Sequence, residues 1–196
     1  MRSDPQPRPD GLTPGDHTLE QESSGRLKIF FGYAAGVGKT YAMLDAALRA
    51  KEAGTDVVLG FLAPAAYPDT LALAGGLERL PPLIPPGGGQ GEFALDGALR
   101  RRPQLILVDE LAHSNNKGAR HAKRYQDIAE LLRAGIDVYS TMDVQQLESL
   151  SDVVSSITGF SAPERVPDQV FDSADQVEIV DLEPSDLLAR LRAGTI

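Results

Sequence analysis

The 196-residue sequence contains no cysteine and only three histidines. The first absence excludes disulfides, thiolate zinc sites, iron–sulfur clusters and cysteine nucleophiles together, and the second leaves few ligands for any metal site. Long apolar runs are missing too: stretches such as FLAPAAY at 61–67 fall far short of the ~20 residues that a membrane-spanning helix needs. No bilayer insertion is expected. The opening residues, MRSDPQPRPDG, place acids and prolines where a secretory signal carries its apolar stretch, so the expected location is the cytoplasm. Positive charge is in deficit. Nineteen Lys and Arg against 28 Asp and Glu give a net charge of −9, which argues against a broad phosphate-backbone surface and hence against a nucleic-acid partner.

What is present is a globular composition, with 42% hydrophobic and 24% charged residues, in a length that fits one domain plus a tail. Residues 1–25 are rich in proline and glycine, lack an apolar period and read as a disordered tail; the folded domain is expected over 26–196. RLKIFF at 26–31 is strand-like, and a glycine-rich turn leads into YAMLDAALRAKEAG with apolar residues at helical spacing. DVVLGFL at 56–62 predicts the next strand, and a weaker helical pattern runs from about Thr70 to Leu80. PPLIPPGGGQG at 81–91 predicts a surface loop, because proline lacks an N–H and glycine is costly to order. EFALDGALRRR then predicts a helix, LILVDE (105–110) a buried strand, RYQDIAELLRAG (124–135) an amphipathic helix and IDVYST (136–141) a strand. VQQLESLSDVVSSI is a further helix, followed by an irregular segment, the strand QVEIVDL (176–182) and a last helix, PSDLLARLRAG, with proline at its start and glycine at its end. Such alternation predicts an α/β fold whose mainly parallel sheet is covered on both faces.

The first strand runs into GYAAGVGKT, residues 32–40. In a phosphate-binding loop, successive backbone N–H groups and a helix N-terminus converge on phosphate oxygens, a lysine reaches the outer phosphates and a hydroxyl holds Mg²⁺. Gly32, Gly36, Val37 and Gly38 form the cradle here, Lys39 supplies the charge and Thr40 the metal ligand. The strict pattern GxxxxGK[ST] asks for glycine at position 33, where this chain has Tyr33. Its ring either tolerates the turn or swings over the nucleotide. The alternatives are a glycine-rich turn that binds nothing, or a loop that holds nucleotide without turning it over.

LILVDE ends in two carboxylates, placing Asp109 to hold Mg²⁺ and Glu110 to orient or deprotonate a water. The alternative is a strand that simply ends in polar residues. YSTMD at 139–143 brings Thr141 and Asp143 to the same carboxyl edge of the sheet, where open α/β sheets bind ligands. Thr141 suits contact with the γ-phosphate or the water, and equally the cap of the next helix. HSNNKGARHAKR, 113–124, gathers basic and imidazole groups in an acidic chain. It reads as an anion-sensing loop offering Arg120 or Arg124 to phosphates, in cis or to a second copy in a homodimer, or else as a solvated loop. His113 with Asn115 is a candidate reporter of nucleotide state, or an ordinary loop pair.

AGVGKT, LILVDELAHSN, RYQDI.ELL.AGIDVYST, VQ.LESL.DVV..ITG and VPD...D.AD.VE.VDL.P.DL..RL..G together resemble the N-terminal cytoplasmic domain of the KdpD family of osmosensitive potassium-channel sensor histidine kinases. The resemblance runs through nearly all of 26–194. It implies an ATP-binding P-loop domain with Mg²⁺ that regulates a two-component system for potassium uptake, acting through a sensor histidine kinase or response regulator, membrane-bound or not. The family's further segments, including its phospho-acceptor box, find no match in these 196 residues, so the expectation is a domain without a kinase core, recruited by its partner. The other readings are a self-sufficient slow ATPase and a nucleotide-independent scaffold. Departures are local: the family's polar ETHGR-like stretch is APAAY at 63–67, PPLIPPGGGQ stands where basic and tyrosine residues are usual, and VNVQH is replaced by Met142, Asp143, Val144, Gln145 and Gln146. A three-layer P-loop fold of about five strands in the order 5-1-4-3-2 follows from putting the strand of Thr141 between those of the loop and of Asp109, with right-handed crossovers.

Overall fold

In a computed structural model, which describes residues 24–64, 68–84 and 91–193, the chain forms one parallel sheet flanked by helices. The elements are β1 (Leu27–Gly32), α1 (Lys39–Glu52), β2 (Val57–Phe61), α2 (Pro68–Ala74), β3 (Glu78–Arg79), α3 (Leu95–Arg101) and β4 (Leu105–Val108). They continue with α4 (Arg124–Arg133), β5 (Asp137–Asp143), a 3₁₀ turn (Val144–Gln146), α5 (Glu148–Thr158), α6 (Asp168–Asp172), β6 (Gln176–Ile179) and α7 (Pro184–Arg192).

The strands lie in the order β3-β2-β4-β5-β1-β6, all parallel. The five strands expected from sequence take the expected relative positions, and β5 separates the loop strand β1 from β4. The count is six rather than five. Gly75 and Gly76 stop the helix that was expected to reach Leu80, and the freed chain adds the two-residue strand β3 at the sheet's edge. Two other expectations are corrected in the same way. The helix predicted from Val144 is broken at Leu147, whose extended backbone (ψ 126°) separates the 3₁₀ turn from α5, and the irregular segment beyond α5 contains the short helix α6.

Every residue of β2 and β4 is buried, as expected for central strands with helices on both faces. Alternation along the strands sends Ile29, Ile106, Val108 and Val138 to one face, against Ile128 and Leu131 of α4 and Ala98 of α3. Phe30, Leu59, Leu105 and Leu107 go to the other, against Met43, Leu44 and Ala47 of α1. Each such aliphatic or aromatic side chain contributes roughly 1.5–3 kcal/mol when fully buried, so this is where the sheet is held. The edge strand β6 is mostly exposed.

Residues 1–23 of the predicted tail lie outside the described residues, as do 65–67 and 85–90 of the two departing segments. Ser24 and Gly25 are placed against the end of α4, with the Gly25 N–H donating to the Leu132 carbonyl at 2.7 Å. The loop at 81–91 is tied at its base by a pair of backbone hydrogen bonds between Leu83 and Glu92, at 2.9 and 2.8 Å.

Candidate functional site

Parallel strands bring their carboxyl ends to one edge, and β1, β4 and β5 deliver Gly32, Asp109, Thr141 and Asp143 there. Gly32 stands opposite Asp143 in the β1–β5 register. A Cβ on Gly32 would come within 2.7 Å of Val37 Cγ2 and 3.0 Å of Lys39 Cδ, so the loop folds back onto the strand only because that position is glycine. Gly36 and Gly38 have φ of 83° and 105°, and Gly38 is the N-cap of α1. Left-handed glycines just ahead of a helix turn consecutive N–H groups toward one point, the arrangement that anions occupy. Val37 faces the interior and anchors the turn.

Lys39 Nζ donates to the Ala34 carbonyl at 2.8 Å and pairs with Asp143 Oδ1 at 2.5 Å. The hydroxyl of Thr40 lies 3.3 Å from Asp109 Oδ2, and that of Thr141 donates to Asp109 Oδ1 at 2.5 Å. Asp109 is buried and also accepts from the N–H groups of Ala63 and Glu110, each at 3.2 Å. Thr40, Asp109 and Thr141 thus form one contiguous polar cluster beside the loop. Among the described residues no group of three or more His, Cys, Asp or Glu forms a metal cage. Mg²⁺ does not require one: it keeps several waters and takes one or two carboxylates plus substrate phosphates, so the donors of Thr40 and Asp109 fit it.

Glu110 turns the chain out of β4 with φ of 61°, a left-handed conformation rare for a residue with a Cβ. Its N–H donates to Thr141 Oγ1 at 3.1 Å. Burial, and after it the negative charge of Asp109, push the Glu110 carboxyl above the usual carboxylate range.

The basic stretch 113–124 folds into its own carboxylate network. Arg124 is wholly buried; its guanidinium donates to the Asp109 carbonyl and to Glu92 Oε2, both at 3.0 Å, and stacks 4.0 Å above the Phe61 ring. His113 Nε2 lies 3.2 Å from the other oxygen of Glu92. Asn115 donates to Asp127 at 2.6 Å, an acid that also meets His121 Nδ1 at 2.8 Å. Arg120 pairs with Asp96 and with Glu130. The structure therefore assembles Gly32, Gly36, Val37, Gly38, Lys39, Thr40, Asp109, Glu110 and Thr141 into one place. It sets His113, Asn115, Arg120 and Arg124 in the wall behind them, with Arg124 touching the site through the backbone of Asp109.

Three features of the site were not assigned from sequence. Asp143 holds Lys39, a role its strand-end position beside Gly32 could have suggested. Glu92 holds Arg124 and His113 across distances in sequence that no local pattern signals. Tyr33 turns toward the C-terminal segment, its hydroxyl donating to the Leu182 carbonyl at 2.6 Å, beside a cleft of about 300 Å³ lined by Tyr33 and residues 181–184.

With this geometry established, comparison with known proteins places the chain. The family described as "KdpD: Osmosensitive K+ channel His kinase sensor domain" matches residues 23–196. The chain belongs to the KdpD family. Among its curated relatives, the "Sensor protein KdpD" of Clostridium acetobutylicum is 53% identical over 183 residues, covering 92% of this chain and 20% of the relative. The "Sensor protein KdpD" of Escherichia coli (strain K12) is 53% identical over 186 residues, covering 92% of this chain and 21% of the relative. A "Putative sensor protein KdpD" of Synechocystis is 49% identical over 174 residues, or 88% and 47%. This KdpD domain thus spans from a fifth to about half of those proteins. Among its described residues, no helix is long and apolar enough to cross a membrane.

Proposed function

We propose that this KdpD domain binds Mg·ATP at Gly32–Thr40 and passes the bound state to a sensor histidine kinase or response regulator of a potassium-uptake two-component system. The observation that carries the reading is the juxtaposition of two left-handed glycines ahead of α1, the ammonium of Lys39, and the Thr40–Asp109–Thr141 cluster. Loop N–H groups, the α1 N-terminus and Lys39 supply positive potential to phosphate oxygens. Thr40 and Asp109 are the residues that would hold Mg²⁺, whose chemistry is to neutralise phosphate charge. Thr141 fixes the Asp109 carboxylate, and Arg124 fixes the backbone on which it stands. The cleft between Tyr33 and 181–184 adjoins the start of the loop and has room for the nucleoside part. That the relatives are named as sensor proteins supports the two-component assignment.

A second reading, slow ATP hydrolysis, is favoured by Glu110. Its raised carboxyl, next to the polar cluster, is a better proton acceptor than an ordinary glutamate.

Calorimetric titration of Mg·ATP into wild type and Lys39→Ala tests the proposal, with phosphate release measured on the same samples. Loss of charge-assisted hydrogen bonds worth about 1.5–3 kcal/mol predicts roughly 10- to 150-fold weaker binding in the variant. Equal affinity in the two proteins, or binding in neither, refutes a working phosphate loop. Phosphate release that disappears in Glu110→Gln, with binding kept, would establish the hydrolytic reading.

A further inference from the structure

Helix α5 is built inside out. Surface helices place their apolar stripe against the core and their polar face in solvent. In α5 the position facing inward is Ser151, 2% exposed, and its buried hydroxyl has no hydrogen-bond partner. The outward side carries Leu150, Val153 and Ile157, with exposures of 36%, 55% and 78%, and Phe160, 54% exposed, follows just past the left-handed C-cap Gly159. The spacing 150, 153, 157 keeps these three on one stripe, about 10 Å long at 1.5 Å per residue. Single exposed apolar residues are ordinary; a continuous stripe facing solvent while a serine is buried beneath it is the pattern of an interface.

The charge around the stripe says what covers it. α5 itself contains Glu148 and Asp152 and no basic residue, and its Ser149 donates to Asp168, a third acid beside it. Arg165 lies 3.7 Å from Asp152. A second copy of this chain would bring the same acidic rim and a further net charge of −9, and an anionic bilayer would also meet like charge. An amphipathic helix laid along the stripe, with Lys or Arg on its flanks, satisfies both the apolar surface and the field.

We propose that α5 is the docking surface for a basic amphipathic helix of a protein partner. This proposal does not rest on the nucleotide reading of Gly32–Thr40. The test uses the full chain and a synthetic 18-residue helical peptide with Leu at i, i+3, i+7 and i+10 flanked by Lys and Arg, followed by fluorescence anisotropy. A counterpart with Glu on the flanks is the control. The basic peptide should saturate, and Ile157→Asp should weaken it at least tenfold while leaving the thermal midpoint in place, since Ile157 is solvent-exposed. Ile157→Leu should restore it, and the Glu-flanked peptide should bind at least tenfold more weakly than the basic one. Absence of binding by the basic peptide, equal binding of the two peptides, or indifference to Ile157→Asp overturns the proposal. So do two other results: a concentration-dependent dimer in sedimentation that Ile157→Asp dissociates, which makes a second copy the occupant, and Ile157-dependent binding to phosphatidylglycerol vesicles, which makes it a membrane.

Discussion

Glu110 occupies a left-handed backbone position at the end of β4 and donates its N–H to Thr141, so its side chain is displayed beside Asp109 by constraints the backbone imposes. Burial and the Asp109 charge raise its carboxyl pKa, which means that the folded state holds the proton more tightly than the unfolded chain. The sign follows from linkage. The stability gained from that proton is present below the ordinary glutamate pKa of 4.5 and is lost as pH rises through the higher folded value. At neutral pH an ionised Glu110 therefore weakens the fold relative to a neutral isostere. Glu110→Gln is expected to be more stable than wild type in urea at pH 7 and to lose that advantage at pH 4. A variant that is less stable at pH 7 would show that the ionised carboxylate is held by attractions outweighing its desolvation.

At the scale of elements, the wall behind the site depends on one buried cation. Arg124, the first residue of α4, reaches the Asp109 carbonyl at the end of β4 and meets Glu92 ahead of α3, so one side chain ties together three parts of the chain. Removing the partner of a buried charge costs more than the pair is worth. Glu92→Ala should lower unfolding free energy by about 3–5 kcal/mol in denaturant titration, whereas the double change Glu92→Leu with Arg124→Met should recover most of it. Sequence reading could not reach this, because Arg124 sits in a stretch that looks like a solvated basic loop and its acid lies 32 residues away, beyond α3 and β4. The same limit explains α5. Helical periodicity shows that Leu150, Val153 and Ile157 share a face, but periodicity is silent on whether that face meets the core or the solvent. Gly75 and Gly76 were legible as a helix stop in retrospect, while the two-residue strand after them is too short to leave an alternation.

For the whole molecule, the legible part was the part written in strand ends. Buried parallel strands read as apolar runs, right-handed crossovers restrict their order, and polar residues just past LILV and DVYS had to arrive at the same edge as the glycine loop. The consequence of that convergence is a physical path between the two proposed sites. Lys39 is paired with Asp143 at 2.5 Å; Asp143 is the N-cap of the 3₁₀ turn, its N–H donating to Gln146 Oε1 at 2.9 Å; and Leu147, next in line, is buried at the start of α5. Phosphate arriving at Lys39 competes with Asp143 for the ammonium and so changes the carboxylate that caps the turn leading to the docking stripe. Coupling between two binding events is reciprocal and typically amounts to 1–3 kcal/mol, or about 5- to 150-fold in affinity. Saturating Mg·ATP should therefore shift the affinity of the basic peptide by at least about fivefold, and saturating peptide should shift the ATP affinity by the same factor. Asp143→Asn, which keeps the shape but removes the charge that competes for Lys39, should leave both ligands bound and bring their mutual effect close to zero. If peptide titrations with and without Mg·ATP superimpose in wild type, Asp143 only holds Lys39 in place, and the stripe on α5 acts independently of the nucleotide.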